Sequence, residues 1–306
     1  MSNGGESKRT SNRLQNKASI PMSVFCSLTI DRSGSMQNMF LTAPGGVHEI
    51  ITDQLHSAHE NGQDGHMFVS VFDHKRDQIM ENKSYKDVSI TIDDVKGWMK
   101  PRGCTRLYDT AIEDIDILLT CIDDYKKKLH PKVAMLNPDI VAVWVCCTDG
   151  FDNSSHACVD EFSAKVKEAR SAGVKCIFIA ANQDAVLTGE RFGFDKRTSL
   201  TFGANNICAP RAFRCVSYNL RQSTASGNNV SFTTSQRQSS LSKSEPDPSL
   251  GPDMSLGPDP SLGPDPSLGP DPNNFHNFIP IPNITFRNPP ILRQAAQDPY
   301  DFLSNV

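Results

Sequence analysis

Four short runs are apolar through most of their length rather than at every second position: MSVFCSLTI (residues 22–30), HMFVSVF (66–72), DIVAVWVCC (139–147) and KCIFIAA (175–181). A strand with one wet face alternates apolar and polar residues. A run that does not alternate belongs in a sheet covered on both faces, and such sheets are mostly parallel, with helices as the crossovers. The segments between the runs supply those helices. In TRLYDTAIEDIDILLTCIDDYKKKL the apolar residues Leu107, Ala111, Ile115, Leu118 and Ile122 recur three or four positions apart. In ACVDEFSAKVKEARSAG, Val159, Phe162, Val166 and Ala169 do the same, and Gly173 reads as the stop. Residues 47–60 predict a weaker helix, beginning after Pro44-Gly45-Gly46, which read as a breaker. An edge strand near 198–204 and a closing helix over 210–220 complete the pattern. The expected fold is an α/β, three-layer, doubly wound, mostly parallel sheet of Rossmann-like type.

The alternation stops near residue 221, and composition changes there. Of 20 prolines, 14 follow residue 221, whereas all nine cysteines precede it. We therefore expect a disordered arm at 1–19, a folded domain at 20–221, a Ser/Thr/Gln-rich linker at 222–248, repeats at 249–272 and a C-terminal segment at 273–306. The repeats are SLGPDM at 249 and SLGPDP at 255, 261 and 267. Proline this frequent forbids helix and ladder hydrogen bonds, so the tail is expected to be extended and disordered. The last segment regains aromatic residues, and two readings stand for it: a docking peptide, or a segment that packs back on the domain.

Charge and cysteine placement exclude some functions. Residues 222–306 carry four Lys/Arg and eight Asp/Glu, the whole chain's net −4, so the body balances to zero and offers no nucleic-acid footprint. Cys26, Cys146, Cys147 and Cys176 lie inside the apolar runs, where a thiol acts as a small hydrophobe. No CxxC pair is present, and the polar start and the lack of an 18-residue apolar run give no signal peptide or membrane span. The expectation is a soluble, intracellular protein, cytoplasmic rather than secreted.

The chemistry concentrates where strands should end. In DRSGSM, Asp31 closes the first run, and alternation turns Ser33 and Ser35 to one side around Gly34. Asp149 follows the most apolar run, in CCTDGFDN, and Thr105 precedes the long helix, in PRGCTRLYDT. Ligands of open parallel sheets bind beyond the carboxyl ends of the strands, where these three loops can meet. Two carboxylates and three hydroxyls make a hard, all-oxygen set suited to Mg²⁺. Asp73, Asp152, Asn153, Gln183 and Asp184 also follow strands and are candidate rim residues.

DRSGSM, PRGCTRLYD and CTDGFDN together resemble the von Willebrand factor type A (vWA) domain and its metal-ion-dependent adhesion site (MIDAS). The pattern is Asp-x-Ser-x-Ser, then Thr, then Asp, and all five positions match over roughly residues 20–220. FDHKRD, PRGCT and IAANQDA are most similar to the intracellular vWA proteins of bacteria and viruses. The resemblance implies that Ser33 and Ser35 contact Mg²⁺ or Mn²⁺ directly and that Thr105 does so directly or through water. Asp31 and Asp149 would hold coordinated waters, and a Glu or Asp of a protein partner would fill the open position. One departure is Cys104, which stands where the family usually has glycine before the threonine.

Three functions compete. A metal-dependent protein-binding module, acting as an adaptor and not an enzyme, fits all three loops. A Mg²⁺-dependent phosphoryl-transfer enzyme would use Asp31 as nucleophile, but such sites carry a second acid two residues on, where this chain has Ser33. In the third reading the tail binds partners and the domain only anchors it. No sequence feature gives the oligomeric state.

Overall fold

The computed structural model describes residues 23–129, 139–181 and 183–242; the N-terminal arm, the repeats and the C-terminal segment lie outside the described residues. Six strands form one sheet: β1 (Ser23–Asp31), β2 (Asp64–Phe72), β3 (Arg76–Ser84), β4 (Ile140–Thr148), β5 (Lys175–Ala181) and β6 (Ser199–Phe202). Their spatial order is β3-β2-β1-β4-β5-β6, parallel except for β3, which pairs antiparallel with β2. The chain winds outward from β1 in one direction and from β4 in the other. The β1/β4 boundary is thus the topological switch point, where open sheets leave a crevice beyond the strand ends.

Among the described residues, seven α-helices accompany the sheet: α1 (Ala43–Glu60), α2 (Ile92–Trp98), α3 (Leu107–Lys128), α4 (Val159–Ser171), α5 (Ala185–Arg191), α6 (Cys208–Ser226) and α7 (Thr234–Leu241). Side chains alternate between two cores. Leu28, Ile30, Val69, Val143, Val145 and Ile177 face α1, α2 and α6. Phe25, Phe68, Trp144 and Phe178 face α3 and α4. The expected α3 stripe of Leu107, Ala111, Ile115, Leu118 and Ile122 is buried throughout, and each of its larger members contributes about 1.5–3 kcal/mol by leaving water. α4 ends as the sequence requires. Gly173 adopts φ +91°. Gly173 N–H donates to Arg170 O and Val174 N–H to Ala169 O, the paired bonds of a Schellman stop.

Three expectations need correction. Pro44-Gly45-Gly46 does not precede the first helix but forms its first turn, since α1 begins at Ala43. Proline is tolerated there because the first N–H groups have no intrahelical partner. Gly46 is required by packing: a Cβ on it would lie 2.3 Å from the Phe213 ring of α6. Second, β3 was not foreseen. Its sequence, RDQIMENKS, buries only Met80 and reads as loop because it is an edge strand. Third, residue 221 falls inside α6, and packed structure continues through α7. The polar composition that suggested a linker is accommodated by specific bonds. Thr233 and Gln236 form a capping box, Asn219 Nδ2 donates to Gln236 Oε1, and Arg237 donates to the carbonyls of Ser199 and Lys196. Val230 and Phe232 between the helices are buried.

Candidate metal centre

Asp31 is the last residue of β1 and is fully buried. Its Oδ1 accepts from Ser33 N–H at 2.6 Å and its Oδ2 from the Thr148 hydroxyl at 2.7 Å. Thr148 ends β4, and its Oγ1 also accepts from Gly150 N–H, so one hydroxyl ties the β1 acid to the β4 turn. That turn presents Asp149, whose Oδ1 accepts from the Ser35 hydroxyl at 2.5 Å. The Ser33 and Ser35 hydroxyls lie 3.0 Å apart. A Cβ placed on Gly150 would stand 3.5 Å from Ser35 Oγ and 3.7 Å from Thr105 Oγ1, so glycine keeps this space open between the two hydroxyls. The sequence-predicted residues Asp31, Ser33, Ser35, Thr105 and Asp149 therefore come together at the switch point. Ser35 is exposed and the other four are buried, so the set opens to solvent on one side.

The loops are fixed to one another by main-chain bonds. Gly34 N–H donates to Gly103 O at 3.1 Å and Arg102 N–H to Arg32 O at 2.9 Å, joining the DRSGS and PRGCT loops. Gly103 sits at φ +68°, which favours glycine. Arg106 N–H donates to Asp73 O. Asn153 grips Thr105 from both sides: its Oδ1 accepts from Thr105 N–H at 2.8 Å and its own N–H donates to Thr105 O at 3.0 Å.

Burial raises the Asp31 carboxyl to about 6, against the hydrogen bonds from Thr148 and Ser33; the Asp149 charge adds a smaller push. Burial also raises Asp149, with the Ser35 bond opposing it. Neither acid has an ion-pair partner among the described residues. The cations nearby are engaged elsewhere. Arg32, between Asp31 and Ser33, turns to Asp73 (Nε–Oδ2 2.9 Å), Asp77 and the Trp98 carbonyl. Arg102 joins it on Asp73 at 2.6 Å and Asp77 at 3.0 Å. Burial pushes Asp73 up, but the bonds from Arg102, Lys75 N–H and Arg32 outweigh it and hold its carboxyl low. The Arg32 bond likewise brings Asp77 down to about 2.

Among the described residues no group of three or more His, Cys, Asp or Glu side chains is placed to hold a metal. The oxygen set at the switch point has two carboxylates and three hydroxyls, so it differs in kind from such a cluster. Its chemistry fits a hard divalent cation: all donors are oxygen, and two buried acids lack a counter-charge.

The candidate rim residues fall into two groups. Asn153 positions Thr105, and Gln183 Nε2 reaches Gly150 O at 3.4 Å. The other three are occupied locally. Asp73 is buried behind the DRSGS loop. Asp152 accepts from Tyr108 N–H and the Ser155 hydroxyl, and Asp184 caps α5 through Val186 N–H and Leu187 N–H. Thr148 and Arg32 were not singled out beforehand. Their signal was adjacency alone, a hydroxyl just before Asp149 and a cation inside DRSGS. The exposed large hydrophobic residues of the described chain are Leu41, Phe151, Leu187 and Leu241. Leu41 follows the β1 loop, Phe151 follows Asp149 and Leu187 follows β5, so these three flank the carboxyl ends of the strands.

No family model and no curated protein matches the sequence. Among solved structures, the von Willebrand factor domain of the type V pili tip protein Mfa5 from Porphyromonas gingivalis is 9% identical, covering 67% of this chain and 97% of that one at a TM-score of 0.48. Proximal thread matrix protein 1 from the mussel byssus, with a zinc-occupied MIDAS motif, is 13% identical, covering 68% and 46% at 0.38. The manganese-loaded TRAP protein of Plasmodium vivax is 13% identical, covering 53% and 58% at 0.35. The chain spans a little under half the length of the mussel proteins it matches, 45% to 47%.

Proposed function

We propose that this chain is a vWA-type protein-interaction module of the MIDAS kind, with Asp31, Ser33, Ser35, Thr105 and Asp149 holding a divalent cation, Mg²⁺ or Mn²⁺. The observation that carries this is the pair of buried acids at the switch point. They have no counter-charge among the described residues, and three hydroxyls, two from the loop that carries Asp31 and one from the Thr105 loop, converge beside them. A cation bound there supplies a Lewis-acidic position for a carboxylate oxygen of a partner. The chain's own residues do the rest. Asp31 fixes the Ser33 backbone, Ser35 and Asp149 hold each other in place, and Asn153 sets the height of Thr105.

A partner with an Asp or Glu beside apolar side chains suits the surroundings, because Leu41, Phe151 and Leu187 stand exposed at the same end of the sheet. All nine cysteines are free thiols, which supports a reducing, intracellular setting and an adaptor role within an assembly. Among the described residues no helix is long and apolar enough to cross a membrane. We read the module as binding rather than catalytic, since Ser33 stands where a phosphoryl-transfer site would carry its second acid.

Isothermal calorimetry of the full chain with Mg²⁺ and with Mn²⁺ tests the reading, beside Thr105→Ala and Asp149→Ala. Binding in the parent that is lost in both variants supports it. Binding that survives both substitutions, or none in a folded parent, refutes it.

A further inference from the structure

Arg32 is the cation nearest to Asp31 in the chain, yet it makes no ion pair with Asp31 or Asp149. Its guanidinium is fully committed on the other side of the loop: Nε to Asp73 Oδ2 at 2.9 Å, one terminal nitrogen to Trp98 O at 3.0 Å and the other to Asp77. Asp73 is the hub of this arrangement. It is fully buried, and it also accepts from Arg102 Nε at 2.6 Å and Lys75 N–H at 3.1 Å, with His74 Nδ1 at 2.8 Å from its other oxygen. Lys75 Nζ also stands 3.1 Å from Asp77 Oδ1, so two acids face two guanidinium groups and an ammonium, and the cluster has no carboxylate to spare. It also joins the loops that carry the hydroxyls. Arg32 lies in the Ser33–Ser35 loop and Arg102 in the Thr105 loop, and the two are linked by Arg102 N–H to Arg32 O. His74 lies against Gly103, where any Cβ would come within 2.6 Å of Nδ1.

We propose that Asp73 is a positioning residue of the cation site: with Asp77 it draws Arg32 and Arg102 away from Asp31 and Asp149, and it locks the Ser33–Ser35 loop to the Thr105 loop. The inference rests on the cation reading above. Without Asp73, the guanidinium of Arg32 is left in a buried setting without its main acceptor, and Asp31, one residue away, and Asp149, beside Ser35, are the unpaired acids left to replace it. An arginine so placed competes with Mg²⁺ for the same charge.

The test is Mn²⁺ binding to the full chain, followed by the paramagnetic resonance signal of free Mn²⁺, together with urea unfolding in chelator. Asp73→Asn is expected to weaken Mn²⁺ binding at least tenfold. Adding Arg32→Met to it removes the competing cation and is expected to restore most of that affinity without restoring the unfolding midpoint. A purely structural role for Asp73 would leave the double variant as weak as the single one, and that outcome overturns the proposal. So does an Asp73→Asn affinity within twofold of the parent. If Asp73→Asn does not fold, Asp77→Asn serves, because its side chain is 32% exposed. It should lose about threefold in affinity and regain it with Arg32→Met; no loss overturns the proposal. A parent that binds neither Mn²⁺ nor Mg²⁺ defeats the cation site itself, a result distinct from binding that Asp73 does not influence.

Discussion

Replacing Asp31 with asparagine should stabilise the metal-free protein at neutral pH, although it deletes a proposed site residue. In the folded chain burial holds the Asp31 carboxyl at about 6, against an ordinary 3.8. A carboxyl raised by folding is penalised wherever it must ionise. The penalty is absent at low pH, grows as pH rises above the unfolded value, and is complete above the folded one. At pH 7 it amounts to about 3 kcal/mol, and at pH 4 to about 0.5 kcal/mol. Asparagine is nearly isosteric and keeps one acceptor for Ser33 N–H. The Thr148 hydroxyl, which donates to Oδ2 in the parent, must reverse to accept an amide N–H, a rearrangement that costs about 1–1.5 kcal/mol at either pH. The variant should therefore gain about 1.5–2 kcal/mol at pH 7 in chelator, several degrees in Tm for a domain of this size, and lose up to about 1 kcal/mol at pH 4. Urea titrations of parent and variant at both pH values, in chelator, read this change of sign. A variant less stable than the parent at pH 7 would refute the view of Asp31 as an uncompensated buried charge. With Mg²⁺ added at pH 7 the order should invert, because the variant keeps only one of the two acids that would hold it.

Mg²⁺ at a hundred times its dissociation constant should stabilise the parent by about 2.7 kcal/mol, and Asp149→Ala should abolish that gain in a thermal-shift titration. Asn153→Ala leaves the Thr105 N–H unsatisfied, so it should lower stability by about 1–2 kcal/mol and weaken Mg²⁺ binding in calorimetry. Phe151→Ser and Leu187→Ser replace side chains that are 67% and 68% exposed; stability should stay within about 0.5 kcal/mol and Mg²⁺ affinity unchanged, while Mg²⁺-dependent capture of a protein partner falls. Gly46→Ala puts a methyl into the Phe213 ring and should cost about 1–3 kcal/mol by overpacking, measured by urea unfolding.

The sheet's interior was legible because covered strands leave no alternative to continuous apolar runs, and β1, β2, β4 and β5 lie within two residues of the expected segments. The convergence of the three loops was legible too, since a parallel sheet brings the carboxyl ends of its strands to one side. Elements whose stability comes from neighbours were not legible. β3 owes its extension to pairing with β2, and α7 is held by a capping box and by Arg237 reaching carbonyls about 40 positions earlier. Pro44 and Gly46 read as breakers because their purpose, a helix start and a close crossing with α6, depends on Phe213, far along the chain. Asp73 was recognised as the end of a strand, but the direction its carboxylate faces follows from where Arg32 and Arg102 fall in space.

The distribution of thiols has a practical consequence. Cys104 and Cys158 are exposed, while Cys26, Cys146, Cys147, Cys176, Cys208 and Cys215 are buried. Burial raises the Cys26 and Cys176 thiols to about 12 and pushes those of Cys146 and Cys147 well above the usual thiol range, so these four are poor nucleophiles while the fold is intact. The unmodified chain is thus a graded chemical ruler. Alkylation at Cys104, next to Thr105, proceeds with the fold intact and sets the reference rate, and labels on the β4 thiols mark only those molecules whose sheet has come apart. One mass spectrum taken over a time course separates labelling of the native state from unfolding without an engineered probe.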